Sequence, residues 1–217
     1  MSISIDHLMW GAPDLAVGMS EAARLFGVEP AAGGAHPGLG TRNALLSLGE
    51  RVYLEVIAPD PDQDLRGTLG ERLRTLERCA LVTWAAASGD LPGLAARAGE
   101  QGLKVRGPAR TQRQTPSGEL LEWELLFLGG HDFPSLLPFC IDWLGSPHPA
   151  AQNPRGGEFV DLVLRSPQHE ALAELFAALG IAAKVEAADE PGLVARIRVG
   201  DEIVELPSSA QTRGLSF

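Results

Sequence analysis

A carboxylate stands where a half-buried strand normally carries an apolar side chain: Glu55, between Leu54 and Val56 in Tyr53-Leu-Glu-Val-Ile57. A buried charge is costly unless it is paired or bound to a metal. Failing both, its pKa rises toward the range of a general base. Arg42 and Arg51 are the nearby candidates for an ion pair. Upstream lies Gly34-Ala-His-Pro-Gly-Leu-Gly-Thr-Arg-Asn43, a polar, glycine-rich stretch whose His36, Arg42 and Asn43 suit the rim of a small-molecule pocket. Arg42 could receive a carboxylate through two parallel hydrogen bonds. His7, taken alone, reads as a core histidine on a strand, with Trp10 beside it as core or pocket wall. Glu122 and Glu124 share one face of the apolar run Leu120 to Leu128 by alternation.

The elements that must position these groups follow from hydrophobic period and punctuation. Ile3 to Trp10 alternates as a strand, Asp14 is an N-cap for a helix Leu15 to Phe26, and Gly27 is its left-handed stop. Asn43 to Leu48 and Arg51 to Ala58 read as strands joined by a two-residue turn at Gly49-Glu50. Leu65 to Arg78 has helical spacing, Ala80 to Ala86 is strand-like, Leu94 to Glu100 is helical, and Lys104 to Arg106 is a short strand. Arg110 to Thr115 reads as polar and extended and Pro116-Ser-Gly118 as a turn before the strand Leu120 to Leu128. A third strand-and-helix opening follows at Phe159 to Arg165 and His169 to Leu179, then strands Ala182 to Glu186, Leu193 to Val199 and Glu202 to Leu206.

The order strand, helix, strands therefore recurs, with Asp14-Leu15 matching Asp90-Leu91 and Pro13 matching Pro167. Such self-similarity constrains the fold more than any single element. The expected class is α+β, with repeated βαβββ units forming a cupped, mixed or antiparallel sheet and helices outside. The division is a first module at 1–62, a connecting helix at 63–78, a second module at 79–130, an ordered connection at 131–156, a third module at 157–206 and a tail at 207–217.

At 217 residues the chain can sustain its own core, and 45% hydrophobic with 21% charged residues is ordinary for a globular protein. A net charge of −10 argues against nucleic acid and anionic membrane as partners. Two cysteines, Cys79 and Cys140, imply no disulfide framework and point to a reducing cytoplasm. Nucleotide-binding, phosphate-loop and serine-hydrolase motifs are absent.

Ile5-Asp-His7-Leu at the start of a βαβββ unit, with Tyr53-Leu-Glu55-Val-Ile on its last strand, resembles the vicinal oxygen chelate superfamily of glyoxalases, bleomycin-resistance proteins and extradiol dioxygenases. His36-Pro-Gly-Leu-Gly-Thr-Arg-Asn43, Pro138-Phe-Cys-Ile-Asp-Trp143 and Pro147-His-Pro149 look like the bacterial glyoxalase-like domain proteins. The resemblance spans residues 3 to 206. It implies a divalent metal (Zn, Fe, Mn or Ni) inside a cupped sheet, held by residues of the first and last strands of each module, which in module one are His7 and Glu55. Module two departs, with Thr83 and Trp84 on its first strand; Glu124, or Asp161 with Glu205, or His148 could complete the set. The implied chemistry is that of a lyase or isomerase, less readily a dioxygenase. The metal polarises vicinal oxygens of a small molecule, Glu124 or Glu205 moves the proton, and Trp10, His36, Arg42 and Asn43 contact the substrate. The rival reading is a metal-free protein of the bleomycin-resistance type that sequesters a small molecule. A second copy of the chain is the candidate protein partner.

Overall fold

The computed structural model describes residues 3–114 and 120–215. β1 (Ser4–Gly11) leads into α1 (Leu15–Phe26), whose N-cap Asp14 accepts hydrogen bonds from the backbone N–H of Ala16 and Val17, and whose last turn closes on left-handed Gly27. α1 packs tightly on the sheet at Gly18, where a Cβ would stand 2.6 Å from the Val56 side chain. Then come β2 (Ala31–His36), β3 (Thr41–Ser47) and β4 (Tyr53–Pro59). The second half repeats the pattern with β5 (Ala80–Ala87), α3 (Leu91–Glu100), β6 (Lys104–Gln114), β7 (Leu120–Gly129) and β8 (Phe139–Asp142).

These strands form one eight-stranded sheet in the order β2-β3-β4-β1-β5-β8-β7-β6. The halves are related in pairing as well as in order: β1 runs parallel to β4, β5 runs parallel to β8, and β1 and β5 join the halves antiparallel. The sheet curls so that residues of both halves line one cavity, while α1 and α3 lie on its outer face. No helix among the described residues is long and apolar enough to cross a membrane.

Several expectations need correction. β2 is a strand where a loop was expected from Gly34 onward, because its glycines and alanines leave no alternating pattern to read. The turn after β3 is wider than two residues: Leu48 N–H donates to the Val52 carbonyl, so β4 starts at Tyr53. The helix expected over Leu65 to Arg78 shrinks to α2 (Leu69–Leu73), since left-handed Gly67 and the N-cap Thr68 delay its start. The connection at 131–156 contributes β8, so β7 is not the last strand of the second half. The turn expected at Pro116-Ser-Gly118 lies outside the described residues.

The third unit repeats the element order but not the pairing. β9 (Glu158–Ser166), α4 (His169–Leu179), β10 (Lys184–Ala187), β11 (Gly192–Val199) and β12 (Glu202–Pro207) form a separate sheet in the order β10-β9-β11-β12. Here the strand after the helix pairs parallel with β9, which puts β9 in the interior of its sheet, and Leu162, Val163 and Leu164 are buried in succession. This sheet packs on the outer face of the large one. Trp84, fully buried on β5, donates from Nε1 to the Leu136 carbonyl at 2.8 Å and meets the Phe176 ring edge-on at 6.1 Å. The stretch expected as a tail is docked: Ser135 Oγ donates to the carbonyls of Thr212 and Leu215, and Leu215 is buried against Met9 and Val82.

Candidate functional site

Alternation decides which side chains enter the cup. On β4 it is Tyr53, Glu55 and Ile57, on β3 Asn43 and Leu45, and on β1 His7 and Met9. Leu121, Trp123, Leu125 and Phe127 of β7, with Phe139 and Ile141 of β8, face them across a cavity of about 470 Å³. The same parity removes three expected residues. Trp10 faces the outer core and is 3% exposed. Arg42 lies between Thr41 and Asn43, both turned to the cup side, so it points to the opposite face. Glu124 sits between the cavity-lining Trp123 and Leu125 and points away. Glu205 and Asp161 belong to the four-stranded sheet, where Asp161 pairs with Arg196, the register partner of Glu205. Neither reaches the cup.

What the fold does bring together is His7, His36, Asn43 and Glu55. Asn43 Oδ1 accepts a hydrogen bond from Gly34 N–H at 2.9 Å, which turns its Nδ2 toward Glu55 Oε1 at 2.6 Å. His36 Nε2 lies 3.3 Å from that same Nδ2 and 3.6 Å from Glu55 Oε1. Accepting there, His36 donates from Nδ1 to Thr41 Oγ1 at 2.9 Å. His7 Nε2 lies 3.5 Å from Glu55 Oε2, and its ring stacks on Tyr53 with centroids 4.5 Å apart. Glu55, 7% exposed, thus has an amide donor on one oxygen and an imidazole on each side. The ion pair with Arg42 or Arg51 weighed from sequence does not form.

Behind His7 stands a residue that sequence reading gave no role, Asp6. On a regular strand it would point away from His7. The pairing of β1 with β5 slips between Ile5 and His7, and this bulge lets the two neighbours meet, Nδ1 to Oδ1, at 2.7 Å. Asp6 is fully buried and also accepts from Trp143 Nε1 at 3.0 Å and His148 Nε2 at 3.1 Å. His148 takes the Ala150 N–H on Nδ1, so its Nε2 is the donating atom. Burial pushes the Asp6 pKa up, but the hydrogen bonds from His148 and His7 more than offset this and hold it at about 2, below the usual 3.8. A persistent anion at Oδ1 holds a proton on His7 Nδ1 and orients the ring so that Nε2 faces Glu55. His148, offered from sequence as a ligand opposite His7, supports Asp6 instead.

The backbone of β2 is part of this device. A Cβ on Gly33 would run into Asn43 Oδ1. Gly33→Ala is therefore expected to displace the Asn43 amide from Glu55 and to weaken cup function as Asn43→Ala does. The double variant should be no worse than either single one, a non-additivity that a double-mutant cycle measures directly.

The opposite half supplies no matching pair. With the N-caps Asp14 and Asp90 in register, Thr83 takes the place of His7, and Phe139, paired with Ala85 as Glu55 is with Met9, takes the place of Glu55. Thr83 Oγ1 is spent on the Ser135 carbonyl at 3.2 Å. Among the described residues no three His, Cys, Asp or Glu side chains gather closely enough to hold a metal ion. A metal enclosed by ligands from both halves does not fit these residues.

A family model described as Glyoxalase-like domain matches residues 5–180. No curated protein matches the chain. Among solved structures, a hypothetical protein from Staphylococcus aureus is similar over 98% of this chain and 88% of its own, with a TM-score of 0.68 at 16% identity. A mutant 4-hydroxymandelate synthase from Streptomyces coelicolor gives a TM-score of 0.51 at 18% identity, covering 98% of this chain and 64% of that one. Methylmalonyl-CoA epimerase from Mycobacterium tuberculosis covers 64% of this chain and 87% of its own, at 18% identity and a TM-score of 0.48. At these identities the first two likenesses speak for the fold alone, and the third carries no argument.

Proposed function

Because the chain belongs to the glyoxalase-like domain family of the vicinal oxygen chelate superfamily, we propose that its cup is the active site of an enzyme that moves a proton on a small carbonyl compound, as an isomerase or lyase does. The observation that carries the reading is Glu55, buried at the floor of the cavity between two imidazoles, with one oxygen held by Asn43. Asn43 occupies Oε1, which leaves Oε2 to take a proton from the carbon next to the substrate carbonyl. The electron pair of that C–H bond passes to the carbonyl oxygen as an enolate. The proton on Oε2 can move on to His7 Nε2, and the Asp6 anion stabilises the imidazolium so formed. Return of the proton at another position is isomerisation, and departure of a group from the enolate is elimination. The role given to Glu124 or Glu205 from sequence passes to Glu55.

A second reading rests on the same pair. His7 Nε2 and Glu55 Oε2 are both electron-pair donors facing each other at 3.5 Å, and they are the residues that would hold a divalent cation from one side. When bound, such a cation would supply Lewis-acid polarisation of substrate oxygens. The two readings separate in one experiment on protein stripped with chelator and then titrated with Zn, Fe, Mn or Ni. The proton-transfer reading predicts an unchanged melting temperature and metal-independent exchange of substrate C–H with solvent deuterium. The metal reading predicts a rise in melting temperature that His7→Ala abolishes. Ligand binding with no exchange under either condition would leave a metal-free sequestering protein of the bleomycin-resistance type.

A further inference from the structure

The wall facing Glu55 is aromatic to an unusual degree for a chain with 6% aromatic residues. Ring centroids follow one another around the cup: Phe127 to Phe139 at 5.7 Å, Phe139 to His7 at 5.4 Å, and His7 to Tyr53 at 4.5 Å. The series continues from Tyr53 to His148 at 5.7 Å, His148 to Trp143 at 5.7 Å, and Trp143 to Trp123 at 5.6 Å. All but His148 line the cavity, with Leu121, Leu125 and Ile141 between them. The two remaining tryptophans, Trp10 and Trp84, are in the outer core.

Charge narrows the ligand further. Among the described residues that line the cavity there is no Lys or Arg, and the one carboxylate is Glu55, beside the imidazoles of His7 and His36. Among these described residues only the imidazoles of His7 and His36 offer a counter-charge to an anion, and the Glu55 carboxylate between them would repel a phosphate or a carboxylate. At Phe127 the Arg106 guanidinium already sits over the ring, 4.1 Å from its centroid, so that ring is not offered to an organic cation. A cavity of about 470 Å³ is within the range of small-molecule sites.

We propose that the cup takes an uncharged aromatic compound with its ring against Trp123, Phe127, Phe139 and Trp143 and an oxygenated end, carbonyl or hydroxyl, at Glu55 and Asn43. This rests on the reading of Glu55 as the reactive group only in so far as it places the oxygenated end there. Apolar rings supply affinity through burial and edge or offset contacts, and the polar floor sets orientation.

Three probes with one ring and different heads test it: acetophenone, benzoylformate and phenyltrimethylammonium. Binding is read from tryptophan emission, to which Trp123 and Trp143 contribute at the site, and confirmed by calorimetry. The expected result is acetophenone bound about tenfold or more tighter than either charged probe. In Glu55→Gln the penalty on benzoylformate should shrink, and in Trp123→Ala acetophenone should bind several-fold more weakly. Trp123→Leu serves if the alanine variant does not fold, and the wild-type ranking decides by itself if neither variant does. Tightest binding of benzoylformate or phenyltrimethylammonium, or binding of none of the three, overturns the proposal. Binding in the expected order without deuterium exchange would sink the proton-transfer reading and leave this one standing.

Discussion

Asp6→Asn is expected to destabilise the protein by about 3–5 kcal/mol at neutral pH, measured by urea unfolding. Asp6 is fully buried and accepts from three donors, on His7, Trp143 and His148. An amide keeps one acceptor oxygen and turns its own N–H₂ toward these donors, leaving buried groups unpaired. The pH dependence follows from the depressed pKa, about 2 against the ordinary 3.8. The folded-state anion stabilises the protein fully above pH 3.8, and that contribution is lost as pH falls from 3.8 through 2. The difference corresponds to roughly 2–3 kcal/mol. Acid unfolding of the wild type should therefore steepen across this window, and in Asp6→Asn that component should be missing. An acid profile identical in the two proteins would show that Asp6 does not hold its donors as an anion.

Glu55→Gln is expected to lower substrate C–H exchange by about 10²–10⁴-fold while leaving the fold intact. The retained carbonyl oxygen of Gln can still accept from Asn43 Nδ2, so the floor of the cup keeps its geometry. His7→Gln should also slow exchange, and the double variant should lose little more than Glu55→Gln alone, because the two residues pass one proton between them. Full additivity would separate their roles. Circular dichroism and ligand affinity, read alongside the rate, distinguish a chemical loss from a structural one.

Much of this arrangement was legible in the sequence, for identifiable reasons. α1 and α4 follow from period and punctuation: Asp14 caps the first, and Gly27 and Gly180 end them in the left-handed region. Alternation also marked Glu55 as a carboxylate on a half-buried strand, and Asn43, chosen for the rim by its chemistry, meets it because the pairing is unbroken from Thr41 to Ser47 and from Tyr53 to Pro59. Where alternation breaks, reading from sequence fails. Asp6 meets His7 only through a bulge, and nothing in Ile5-Asp-His7 marks the extra residue. β8 hides in a proline-rich stretch because a four-residue strand has too few positions to show a period. Arg42 was assigned to the substrate for its chemistry, although its neighbours Thr41 and Asn43 already placed it on the other face.

The third unit shows a different limit. Its order of strand, helix and strands matches the first two, yet β10 pairs parallel with β9 whereas β2 pairs with β3. Element order therefore did not determine pairing. The consequence for the site is direct, since Asp161 and Glu205, one of the ligand sets offered from the sequence, lie in a sheet that packs on the outer face.

The central claim is that Glu55 takes a proton from a carbon of a compound bound in the cup. Its most direct test is solvent-deuterium incorporation, followed by proton NMR, into a carbonyl compound that binds there, with wild type and Glu55→Gln compared at equal occupancy. The account predicts deuterium entering at the carbon beside the carbonyl with the wild type, and slower by about a hundredfold or more with Glu55→Gln. Equal incorporation by the two proteins would contradict it.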